Sequence, residues 1–98
     1  MGRLLKVDPG ELFLPPSRKT GADPFKLSEQ IRQYGDQLEA MPPVQVTQTG
    51  EGDFMINDGV TRAIRIAKLR PGATIVIEVI DERPSWSLAH LPRVRERL

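Results

Sequence analysis

The chain has 98 residues, which suits one domain with its own core, since domains run to roughly 50 to 200 residues, and leaves no room for a second. Fourteen basic and thirteen acidic residues give a formal net charge of +1, so no overall field draws the molecule to nucleic acid or to an acidic membrane, and any such contact has to be local. The absence of cysteine excludes disulfides, thiolate metal sites and cysteine nucleophiles. No apolar run approaches the roughly 20 residues of a membrane span, and Met1 to Leu5 is too short for a secretory signal, so the expectation is a soluble, cytoplasmic protein with no membrane partner.

Arg3-Leu4-Leu5-Lys6-Val7 alternates weakly and meets the turn residues Asp8-Pro9-Gly10, which predicts a short first strand. From Leu14 to Ala22 the prolines and small polar residues predict an irregular loop whose Arg18 and Lys19 are free to reach a ligand. Asp23-Pro24 is a helix start, because an Asp side chain accepts from orphan backbone N–H groups and Pro at the first position gives up a donor that has no partner anyway. Leu27, Ile31 and Tyr34 then make one apolar stripe, and Gly35 stops the helix. This predicts a helix from Pro24 to Tyr34 that packs on the sheet, with Lys26, Glu29, Gln30, Arg32 and Gln33 facing water.

Val44 to Thr47 alternates with period two, Thr49 to Asp53 supplies a hairpin loop, and Phe54 to Asn57 is the returning strand. The spacing then turns helical, with Val60, Ala63, Ile64 and Ala67 on one face and an end near Leu69. Thr74 to Ile80, dense in branched residues and apolar on both parities, reads as a central strand buried on both faces. The whole is a small α/β (α+β) domain with a mixed sheet of about four strands and two main helices over residues 1–80. The tail 81–98 docks on it through Trp86, Leu88 and Leu91, residues that alternatively anchor a protein partner.

Four stretches carry a resemblance in their order: Val7-Asp8-Pro9 with Glu11-Leu12, the helix start Asp23-Pro24-Phe25-Lys26-Leu27, the proline-led strand Pro43-Val44-Gln45-Val46, and Ile56-Asn57-Asp58-Gly59-Val60-Thr61-Arg62. Together they resemble the N-terminal module of the ParB/sulfiredoxin superfamily, the last stretch being similar to its glycine-started "GxxR" helix. The resemblance implies a site at that helix start, with nucleotide or nucleic-acid ligands and nuclease or phosphotransferase activity among the family's uses. The sulfiredoxin-like activity needs a cysteine that this chain lacks, Thr61 stands where many members have histidine, and Val60 and Thr61 replace the charged residues of ParB itself.

Read for chemistry, a strand-to-helix junction presents orphan N–H groups at the positive end of the helix dipole, and Gly59 lets an anion come close to the backbone. Arg62 on the first turn is placed to clamp phosphate, Thr61 offers a hydroxyl, and Arg18 and Lys19 close over the top. Asp58 is the catalytic candidate, as a magnesium ligand or general base; its commoner task, shared with Asn57, is to cap the helix. Arg65, Lys68 and Arg70 read as a solvated charged face, and His90, the sole histidine, has no partner at metal-ligand spacing. Three functions follow: a phosphate-ligand site at Gly59 to Arg62, an interaction module without chemistry, and a magnesium-dependent nuclease or phosphotransferase. Ligand binding ranks first.

Overall fold

The computed structural model describes residues 2–98. Its elements follow the predicted order: β1 Arg3–Val7, α1 Pro24–Tyr34, β2 Val44–Thr49, β3 Phe54–Asp58, α2 Val60–Leu69 and β4 Ile75–Arg83. The four strands form one mixed sheet in the order β1-β4-β2-β3, with β4 parallel to β2 and the two outer pairings antiparallel. This is the small α+β architecture that the periodicities predict. No helix among the described residues is long and apolar enough to cross a membrane.

The ends of α1 are set as its sequence dictates. The Asp23 side chain accepts from Phe25 N at 2.8 Å, and Gly35, with φ of +57°, turns the chain away while its N–H donates to Ile31 O. Its position differs from the expectation. The face of the sheet that Val44, Val46, Ile77 and Val79 bury is covered by α2, through Ala63, Ile64, Ile66 and Ala67. Helix α1 packs on α2 and buries no residue fully: Leu27 touches the core, while Tyr34 stays 47% exposed. A weak three-residue stripe is enough for a helix on a helix, and α2 has the stronger apolar face to give the sheet.

Strand β4 is internal, as expected, but only one of its faces is sealed. Ile75, Ile77 and Val79 are buried, whereas Val76 and Glu78 are half-buried and Ile80 is 46% exposed. Both β2 and β4 run past their predicted ends because parallel pairing resumes after a bulge, with Thr47, Gln48 and Thr49 opposite Asp81, Glu82 and Arg83. Polar residues join the sheet there because each supplies the other's backbone partners.

Leu12 and Phe13, just before the expected loop, and Leu14, its first residue, are buried. Phe13 N donates to Phe54 O at 2.9 Å and Phe13 O accepts from Ile56 N at 3.0 Å, which covers the outer edge of β3. Phe13 also joins Leu88, Leu91 and Met55 in a second apolar cluster, and Val94 enters the main core. Trp86 departs from the expectation: unlike Leu88 and Leu91 it is 43% exposed, with the Arg83 guanidinium 5.4 Å from its ring centre.

Candidate functional site

Strand β3 pairs with β2 through Asp58, opposite Gln45, one residue further than its pattern suggests. That extra residue decides how α2 begins. Gly59, not Asp58, is the N-cap; it takes a left-handed φ of +109° and its carbonyl accepts from Ala63 N at 3.0 Å. No side chain caps the helix. The Asn57 amide is instead bonded to buried Thr47, Nδ2 to Oγ1 at 2.9 Å, and the Asp58 carboxylate, 71% exposed, faces Arg62 with Oδ2 3.6 Å from Nη2. The capping role expected of both residues is therefore corrected, and the first-turn N–H groups of α2 keep no side-chain acceptor.

Arg62 folds back over Gly59. A Cβ at residue 59 would lie 2.8 Å from Arg62 Nη2 and 3.0 Å from Val44 Cγ2, so glycine is needed there for its φ, and any side chain would also push the guanidinium aside. Arg62 Nη2 donates to Pro43 O at 3.2 Å, which ties α2 to the start of β2. Only about a fifth of this side chain is exposed. We expect Gly59→Ala to lower stability by about 1–3 kcal/mol, from backbone strain plus the displaced guanidinium; a thermal melt would measure it, and an unchanged midpoint would mean that neither constraint operates.

These residues line an open cleft of about 540 Å³ between the end of β3, the first turn of α2, α1 and the Pro15–Arg18 loop. Asp58, Gly59, Thr61, Arg62 and Arg18 all contribute to its walls. Lys19 does not. It follows a single 3-10 turn, Pro16–Arg18, whose successive residues point about 120° apart, and its carbonyl is held by Arg97 Nε at 2.9 Å. Lys26 and Gln30, expected to be merely wet, complete the cleft from α1. Their i, i+4 spacing put them on one face, but only the stacking of α1 on α2 reveals that the face looks onto a site. Three cations, Arg18, Lys26 and Arg62, stand against one carboxylate, Asp58, so a nearly neutral chain carries a locally positive cleft.

Arg65 overturns its expected place on a solvated face: it is 2% exposed. Its Nη1 donates to Gly35 O at 2.7 Å and Gln37 O at 3.1 Å, its Nη2 lies 3.4 Å from Met41 Sδ, and its guanidinium is 5.5 Å from the centre of the Tyr34 ring. Burial pushes its pKa down, a shift opposed by Tyr34 and Asp36. With Tyr34, Met41 and Pro42 it lines a smaller cavity of about 210 Å³ that shares Gln30 and Arg62 with the main cleft. Gln30 Oε1, Arg62 Nε and Arg65 Nε are buried without a hydrogen-bond partner in the protein.

Among the described residues no group of three or more His, Cys, Asp or Glu could hold a metal ion. Asp58 is the one carboxylate in the cleft. Comparison of the chain with protein-family models, with curated proteins and with solved structures finds no match.

Proposed function

We propose that the cleft binds a phosphate-bearing ligand, a nucleotide or a nucleic acid, with the phosphate against the first turn of α2 and Arg62. The observation that carries this reading is the local excess of cations, Arg18, Lys26 and Arg62, around an uncapped helix N-terminus. Backbone N–H groups and the helix dipole favour an anion, and a guanidinium gives phosphate oxygens paired, charge-assisted hydrogen bonds. The setting is cytoplasmic, where nucleotides and nucleic acids are abundant, and the ParB-like resemblance of the helix start points to the same ligands.

The test is a thermal-shift series on the purified chain with inorganic triphosphate, the four ribonucleoside triphosphates and a short single-stranded oligonucleotide, each with and without magnesium. A ligand at about a hundred times its dissociation constant adds about 2.7 kcal/mol, or roughly 11 to 22 °C for a domain this small. No shift with any of them would remove the reading.

Asp58 separates binding from catalysis. As one exposed carboxylate it would hold magnesium only together with the ligand's own phosphates. If the site only binds, Asp58→Asn removes a negative charge beside Arg62 and tightens magnesium-free phosphate binding by roughly two- to fivefold, the scale of an exposed ion pair. If it is a nuclease or phosphotransferase, the same variant loses magnesium-dependent turnover of oligonucleotide or nucleoside triphosphate.

A further inference from the structure

On the far side of the Pro15–Arg18 loop lies a second groove, of about 430 Å³, walled by Trp86, Met55, Leu91 and Pro16 and fringed by Ser87 and His90. Two separate stretches of chain run from one cavity into the other. In the loop, Pro15 and Ser17 line the cationic cleft while Pro16 between them lines the groove; in β3, Ile56 to Asp58 line the cleft while Met55 lines the groove. Consecutive Cα atoms are 3.8 Å apart, so the two cavities share walls only a residue or two thick. A ligand that leaves the cleft over this loop meets Trp86 next. That ring is 43% exposed although Leu88 and Leu91 in the same groove are buried, and the Arg83 guanidinium lies against it.

We propose that the groove is the continuation of the phosphate cleft and that the two together bind a single-stranded nucleic acid, one phosphate held at Arg62 and a base further along the strand stacked on Trp86. This rests on the phosphate reading of the cleft and narrows it from any phosphate ligand to a strand. The chemistry required is a cationic track with an aromatic platform beside it, since every base offers a π face and the backbone supplies the charge. A duplex does not meet it, because its bases are already stacked on one another. A mononucleotide bound in the cleft alone leaves Trp86 untouched.

Trp86 is the chain's one tryptophan, so its fluorescence reports the groove directly. Titration with a single-stranded octanucleotide is expected to quench that emission, and neither a duplex of the same length nor a ribonucleoside triphosphate is expected to do so. Measured by anisotropy of a labelled octanucleotide, Trp86→Ala weakens binding about tenfold, the scale of one lost base–aromatic stack, and Trp86→Phe recovers most of the loss. The affinity for nucleoside triphosphate stays that of the wild type in both variants, and their melting temperatures show that the fold is kept. If the octanucleotide binds without quenching, or binds Trp86→Ala as tightly as the wild type, the extension to the groove is wrong while the phosphate site stands. If neither the octanucleotide nor any nucleoside triphosphate binds the wild type, the phosphate reading fails and takes the strand with it. Quenching by a duplex as strong as by a single strand would likewise overturn the proposal.

Discussion

Arg65→Ala is expected to lose about 3 kcal/mol of stability, with a fall in melting temperature of roughly 12 to 24 °C for a chain of this length. The guanidinium is 2% exposed and donates to two main-chain carbonyls, Gly35 O at 2.7 Å and Gln37 O at 3.1 Å. Hydrogen bonds from a charged donor each contribute about 1.5–3 kcal/mol, and truncation to alanine also strips the packing of the side-chain stem in the core. Arg65→Lys is expected to recover less than half, because one ammonium on a flexible stem does not reproduce a planar fork against two carbonyls while Nη2 rests at Met41 Sδ. Circular dichroism melts of the three proteins decide the matter. A midpoint for Arg65→Ala within a few degrees of the wild type would return this residue to the solvated role its sequence suggests. The consequence reaches the site: Arg65 fixes the chain just after α1, and α1 carries Lys26 and Gln30 into the cleft. The variant should therefore also weaken ligand binding modestly, through a helix no longer held in register.

How far the sequence reveals this molecule depends on whether the deciding interaction is local. The limits of α1 are legible because Asp23, Pro24 and Gly35 act on the backbone within a turn of themselves. The hairpin and the glycine before α2 are legible for the same reason. The extension of β4 is not, since Asp81 to Arg83 become strand only by pairing with Thr47 to Thr49 across more than thirty residues. Phe13 is similarly hidden: a single residue that bridges β3 and Arg93 leaves no periodic trace. Arg65 is misread because arginine is ordinarily a surface residue, and nothing in its neighbours signals the two carbonyls that α1 brings to it. Within the cleft, Asp58, Gly59, Thr61 and Arg62 come together because they are adjacent in sequence, and Arg18 lines it with them. Lys26 and Gln30 enter only through the stacking of α1 on α2, and the turn separates Lys19 from Arg18 at the next residue.

Arg62→Ala is expected to reduce phosphate-ligand affinity by a hundredfold or more while the domain stays folded. A paired guanidinium–phosphate contact gives two charge-assisted hydrogen bonds of about 1.5–3 kcal/mol each, and each 1.4 kcal/mol is a factor of ten. The effect on the fold is smaller. Arg62 makes one hydrogen bond to Pro43 O at 3.2 Å, and its ion pair with the mostly exposed Asp58 contributes little in water, so the structural loss is about 1 kcal/mol. Arg62→Lys keeps a point charge over Gly59 and loses the bidentate fit, which places it between the two, about tenfold weaker than the wild type. Isothermal titration with inorganic triphosphate, which has neither base nor sugar to engage the groove, isolates this term. If Arg62→Ala binds triphosphate as the wild type does, the anion is held elsewhere, and the positive lining of the cleft is a feature of the surface without a ligand. If binding is lost and the melting temperature falls by no more than about 4 to 8 °C, the guanidinium folded over Gly59 is the anion's principal contact.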